Sequence, residues 1–264
     1  MGPVFTLRWA ARDLRRRWPM VVAIALVIAI GTGAYSALGS TSTWRTESND
    51  ASFEQLGMYD LRVKAAEGVD APTGGMLAVL ATLPDPSIVD VAEERLVAST
   101  QVDASTDEET ILVPGRIIGM DLADGGPHVN GIDVREGDGR PLAAADAGQP
   151  VVLLERNFAD FYGLAPERTI RVAGDRDVRT AGLAMQPEYF FVMTEEGGFF
   201  AEANFAALFT SLETAQDLAG RPGRVNDLVL RLRPGVDPPD AQAVVEAAFA
   251  DSDAGLGATV MRTE

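Results

Sequence analysis

Residues 20–38 read MVVAIALVIAIGTGAYSAL, and no charged side chain lies between Arg17 and Arg45. An α-helix rises 1.5 Å per residue, so roughly 20 such residues reach across about 30 Å, the thickness of a bilayer's hydrocarbon core. The sequence therefore predicts one membrane-spanning helix over residues 19–40. Arg8, Arg12, Arg15, Arg16 and Arg17 precede it, against the single acid Asp13. Positive charge stays on the cytoplasmic side, so residues 1–18 are expected inside and residues 41–264 outside. Within Phe5–Arg17, Leu7, Ala10, Ala11 and Leu14 share one face and the arginines the other, the pattern of a basic amphipathic helix. A cleaved leader is the competing reading, with small residues near Ala34–Ala37 as its processing site. The apolar run is longer than a leader's core, which favours an anchor. Ala25, Ala29, Gly33 and Ala37 recur every fourth residue and form a smooth ridge that a second helix backbone could approach. Small residues are also common in membrane helices, so the ridge has a bland reading of equal weight.

Outward from this segment, charge changes sign. Residues 1–44 carry a net +4 and the whole chain −17, which leaves −21 on residues 45–264. A domain so acidic does not seek phosphate backbones or anionic lipid, and a nucleic-acid role is excluded. Forty-seven per cent of residues are apolar, enough for a packed core rather than a disordered acidic tail. The absence of cysteine excludes disulfides, thiolate catalysis and cysteine-based zinc sites.

The soluble part reads as α+β. MYDLRV (58–63) is a strand, residues 74–83 a short helix ended by Pro84 and Pro86, and SIVDVAEERLVAST (87–100) a strand: one β-α-β unit. DLVLRLR (227–233) alternates as a half-buried strand. Asp237 then stands as N-cap before Pro238, Ala241, Val244, Val245, Ala248 and Phe249 make a helical face, and ATVMR (258–262) is again strand. Between the two units the candidate strands are 110–120, 151–154, 168–173, 178–184 and YFFVM (189–193). Helices are expected at 155–162 and 211–219, the second with Thr210 and Glu213 in capping-box spacing. The simplest arrangement joins both β-α-β units into one split, porter-like subdomain, about 55–100 with 220–264. A β-rich subdomain, about 101–215, is inserted between them.

In this order the chain resembles the front part of an FtsX-like, MacB-type ABC transporter permease. LRWAARDLRRRWPMVVAIALVIAIGTGAY resembles that family's amphipathic helix, basic elbow and first span, and GMYDLRV its first ectodomain strand. GRIIGMD, VVLLERNFADFYGL, VRTAGLAMQPEYFFV, SLETAQDLAG and VNDLVLRLRPGVD resemble later segments. Family members often place Gly-Asp where this chain has Pro166-Glu167. They also have further membrane helices after the ectodomain, and this chain stops at Glu264, about where the second would be expected. The resemblance implies no enzyme activity and no cofactor in this chain, and a separate ABC ATPase at the cytoplasmic face. It implies further permease helices or a second permease copy in the membrane. It further implies an extracytoplasmic protein or a lipid-like substrate as the object moved.

The residues carry little chemistry of their own. No P-loop is present, and Lys64 is the only lysine. His128 is the only histidine and sits in the turn-like GGPHVNG, without G-x-S-x-G, so a secreted serine hydrolase is the weakest alternative. Asp107-Glu108-Glu109 and the run Asp133–Asp138 invite calcium but lack the EF-hand spacing; solvated loops are the default. Tyr189, Phe190, Phe191, Phe199, Phe200, Phe205 and Phe209 are the densest aromatic cluster. Core packing is the first reading, and Tyr189, Phe190, Phe191, Phe199 and Phe200 are the candidate partner surface if exposed. A stand-alone membrane-anchored binding or adaptor protein is the alternative to the permease.

Overall fold

The computed structural model describes residues 3–105, 110–189, 204–252 and 254–263, with the side chains of 1–11, 13, 14 and 38–50 left out. Helix α1 is assigned continuously over Pro3–Gln55, 53 residues with Pro19 inside it. The helix continues through the basic stretch where the resemblance places an elbow. Pro19 removes one intrahelical hydrogen bond, but the residues on either side of it continue the ladder, as prolines in membrane helices allow. Arg15–Ala37 is the apolar part, with a mean hydropathy of 2.1. Its large side chains are exposed, Val27 at 71% and Ile30 at 68%. The Thr32 hydroxyl donates to the Ile28 carbonyl at 2.5 Å, so its one polar group is satisfied inside the helix. Residues 1–52 and 53–264 form two separate compact units.

In the second unit the chain order is β1 Leu61–Lys64, β2 Ala71–Pro72, α2 Gly75–Leu80, β3 Val89–Asp103 and β4 Leu112–Met120. Then come β5 Val151–Glu155, α3 Arg156–Tyr162, β6 Thr169–Val172, β7 Arg176–Ala184 and β8 Ala206–Ser211. Helix α4 Leu212–Ala219, β9 Arg224–Val225, β10 Asp227–Leu232, α5 Pro238–Asp251 and β11 Thr259–Arg262 complete it.

Nine strands form one sheet in the order β11-β1-β10-β3-β4-β8-β5-β7-β6, and β3 also pairs with β6. The first four strands are antiparallel throughout. Each expected β-α-β unit contributes its two strands, interleaved, so the split arrangement is present. Leu61, Val63, Leu228 and Leu230 turn to the face covered by α2 and α5, where Met76, Val245 and Phe249 complete one core. The remaining pairings close β3-β4-β8-β5-β7-β6 into a ring around a second core built on Val152, Leu154, Phe158 and Leu208. Closure leaves those six strands no free edge. The long strand β3 belongs to both parts: its first half pairs with β10 and its second with β4.

Two motif glycines set how closely layers approach. A Cβ on Gly119, in GRIIGMD, would lie 2.3 Å from the Ala215 Cβ on α4; one on Gly182, in VRTAGLA, would lie 2.7 Å from the Asp138 carbonyl. Only glycine fits either contact.

Several local expectations need correction. Strand β10 is buried on both faces rather than alternating, because a second layer of side chains covers its far side. The cap of α4 is Ser211, whose hydroxyl accepts from the Thr214 amide; Thr210 is buried in β8 and donates to the Val151 carbonyl. Asp237 is the N-cap residue of α5, but its side chain makes no capping bond. Tyr189 ends a 3-10 turn rather than opening a strand, and residues 190–193 of that expected strand lie outside the described residues. Strand β8, fully buried, carries no alternation and was not among the expected strands.

Candidate functional site

Strand alternation puts Arg62, between Leu61 and Val63, on the face of the four-stranded sheet away from the helices. Asp227 and Arg95 reach the same face from β10 and β3, directly cross-strand from one another. All three are buried, Asp227 to 1% and Arg95 to 2% exposure. The guanidinium of Arg62 donates through Nε to Asp227 Oδ2 at 2.7 Å, and that of Arg95 through Nε to Asp227 Oδ1 at 2.8 Å. Glu188, in the turn after β7, closes the figure: Arg62 Nη1 lies 2.5 Å and Arg95 Nη1 2.7 Å from its carboxylate oxygens. Two cations and two anions thus alternate around a closed buried circuit.

Burial works against the charges of Arg62, Arg95 and Asp227, and their opposite partners outweigh it. Both arginines are held above their ordinary pKa, chiefly by Asp227 and then Glu188 against desolvation. Desolvation pushes the Asp227 carboxyl upward, but Arg95 and Arg62 hold it below the usual carboxylate range. Tyr189, beside the circuit, is pushed up to about 12 by burial first and by Glu188 second. Tyr59 is raised by the same two causes.

Neighbouring bonds tie the circuit to the end of α1. Asn130 donates from Nδ2 to Glu188 at 2.9 Å and accepts from the Tyr59 amide at 2.9 Å. The Asn130 and Gly131 amides donate to the carbonyls of Gly57 and Leu56. Gln186 Nε2 donates to the Asn130 carbonyl at 2.8 Å. The chain leaving the helix, the loop after β4, the turn after β7 and three strands of the sheet therefore meet at one point. Such an arrangement has no nucleophile or proton relay; it can hold several segments in a single geometry.

The other sequence candidates fall elsewhere. His128 is exposed on the rim of a cleft of about 370 Å³ with Gly57, Pro127, Leu142 and Arg231, and its backbone amide donates to Glu93. Asp138 accepts from Arg156 Nε at 2.8 Å, so an internal cation already serves this acidic run. Residues 107–109 lie outside the described residues, and among the described residues no three potential ligands gather as a metal site. Tyr189 is buried, edge-on to Phe209 with centroids 5.7 Å apart, which is core packing. Phe190, Phe191, Phe199 and Phe200 lie outside the described residues. Ala25, Ala29, Gly33 and Ala37 are exposed along α1, as are Arg12, Arg15, Arg16 and Arg17, while the side chain of Arg8 is outside the description. The charge circuit escaped sequence reasoning because its members are far apart in sequence. Its one signal was the placing of charged residues inside apolar strand runs, where burial requires pairing.

Comparison with known proteins agrees with this architecture. The structure is similar to the periplasmic region of MacB from Actinobacillus actinomycetemcomitans, with a TM-score of 0.52 at 12% identity, covering 80% of this chain and 91% of that one. It is also similar to the extracellular domain of the noncanonic ABC-type transporter YknZ from Gram-positive bacteria, with a TM-score of 0.48 at 12% identity, covering 77% and 99%. The first of these sets the fold. No curated protein matches the chain by sequence. The model of the MacB-like periplasmic core domain matches residues 22–248. The helix and sheet, the ring inserted between the two β-α-β units, and a match over most of the length place this chain in the MacB-like periplasmic core domain family of ABC transporter permeases.

Proposed function

We propose that this chain anchors its acidic domain outside the bacterial plasma membrane and transmits movement from a cytoplasmic ABC ATPase to that domain. The observation that carries the reading is the extent of the family match: it begins at residue 22, inside the apolar helix, and continues to residue 248, which supports reading helix and domain together. Residues 1–18 then lie in the cytoplasm with the arginines at the membrane surface, residues 19–40 span, and residues 41–264 stand outside. The ridge Ala25, Ala29, Gly33 and Ala37 packs against further permease helices or a second permease copy. The object moved is an extracytoplasmic protein or a lipid-like molecule. The bonds between residues 56–60, Asn130, Glu188 and Asp227 support transmission, because displacement of the helix end is shared at once by the sheet and the ring.

The test uses the absence of native cysteine. Arg12→Cys carrying a photo-crosslinker, in native membranes, is expected to capture a protein with a P-loop. The modification rate of a cysteine at Ala66 is expected to change when ATP and vanadate are added. Capture of no P-loop protein together with an ATP-insensitive rate would leave the anchored binding protein as the better reading.

A further inference from the structure

Helix α5 carries, besides its buried face, an apolar strip turned outward. Ala241, Val245 and Phe249 bury against the sheet, while Ala243, Val244 and Ala247 face outward. A surface helix normally turns polar residues outward, and an outward apolar strip is commonly a place where another element lies. The outward face continues across α2 through Ala78 and Thr82, and between the two helices runs an open groove of about 770 Å³ with Val79, Val244, Ala247 and Ala248 in its lining.

The chain segments that carry these two helices are more uniformly acidic than the rest of the domain. Residues 65–94 and 234–261, which carry the two helices, hold eleven acids and no lysine, arginine or histidine. The rest of the domain holds all of its arginines and Lys64. Some of the eleven have internal duties: Glu94 accepts the amides of Gly74, Met76 and Leu77 at the start of α2, and Asp70 pairs with Arg221. Asp240 and Asp251 stand exposed on α5, with Asp251 in the lining of the groove, and Asp85 stands exposed beyond the end of α2 with Arg233 near it. An apolar floor with a mainly acidic border selects its occupant. A second copy of this face would bring like charges together, and an anionic lipid surface would be repelled. A helix with an apolar stripe and flanking lysines or arginines satisfies both the floor and the border.

We propose that the α2–α5 groove docks a basic amphipathic helix of a partner protein on the same side of the membrane. This goes beyond the permease reading and stands or falls independently of ATP coupling. The test is fluorescence anisotropy of a helical peptide made only of leucine and lysine, titrated with the full chain in phosphatidylcholine nanodiscs, with empty nanodiscs as the blank. Saturable binding above the blank is expected, weakened about tenfold or more when lysine is replaced by glutamate in the peptide. Val244→Arg with Ala247→Arg should weaken it by a similar factor, and both positions are exposed, so the core is untouched. Asp240→Asn with Asp251→Asn should weaken it severalfold and flatten its salt dependence. No binding above the blank, equal binding of the glutamate peptide, or binding unchanged in both double variants would overturn the proposal. A dimer in sedimentation that Ala247→Arg converts to monomer would overturn it in favour of a second copy.

Discussion

Asp227 is the residue on which the buried circuit turns, since both guanidinium groups bond to it. Asp227→Asn leaves two buried cations facing one carboxylate and is expected to cost about 3–5 kcal/mol in urea unfolding of the full chain in detergent. A loss under 1 kcal/mol would show that the circuit is solvated. The folded-state pKa of Asp227 lies below its unfolded value of about 3.9. Its contribution is therefore complete above that value and is lost as pH falls through the lower folded value. The urea midpoint is expected to drop steeply below about pH 4, and less steeply in Asp227→Asn. Tyr189 works at the other end of the scale: its pKa of about 12 exceeds the unfolded value of about 10. Its contribution is full below the unfolded value and lost as pH rises through the folded one. The Tyr189 hydroxyl is buried without a hydrogen-bond partner among the described residues. Tyr189→Phe should thus leave neutral-pH stability unchanged or raise it by about 1 kcal/mol, and should blunt the alkaline loss. A marked fall in stability would mean the hydroxyl is bonded. None of this was legible beforehand: the sequence shows that Arg62 and Asp227 sit in apolar strands, but pairing across 165 positions depends on the sheet order.

At the scale of elements, more could be read. Alternation and helical spacing located β1, β3, β10, α2, α5 and β11, because each packs one face on a core and turns another outward or toward a second layer. Strand β8 failed that test: AALFTS is buried throughout, and a run without alternation gives no period to read. The short pair β2 and β9 failed for another reason, since two residues carry no pattern at all. The close packing at the motif glycines was not read from the sequence either, since it depends on which layer comes to lie over them. Gly119→Ala forces its Cβ against Ala215 of α4, and α4 packs on β4 and β3 with Ala215 in a small core beside Leu96 and Ile117. The expected loss is about 1–3 kcal/mol, read as a lowered urea midpoint, with Ala215→Gly restoring part of it. A Gly119→Ala variant as stable as the parent would mean that α4 is free to move off the sheet. Glu94 has a comparable role for α2, where one carboxylate accepts three backbone amides that a helix start otherwise leaves unbonded.

For the whole molecule, the apolar helix was the most legible feature, because roughly 20 uncharged residues have few uses other than crossing a bilayer. Its continuity through Pro19 to Gln55 was not, since proline and the following polar residues give a stop signal on sequence grounds. The nesting of the ring inside the split β-α-β units followed from element order, whereas its closure by β3 with β6 rests on two residue pairs that no local pattern announces. The account as a whole depends on the membrane lying between the arginines and the sheet. Single cysteines at Arg12 and at Ala66, each introduced into the otherwise cysteine-free chain, can be challenged with a membrane-impermeant maleimide in intact cells. The account predicts rapid labelling at position 66 and none at position 12 until the membrane is permeabilised. Labelling at position 12 in intact cells, or protection of position 66, would contradict it.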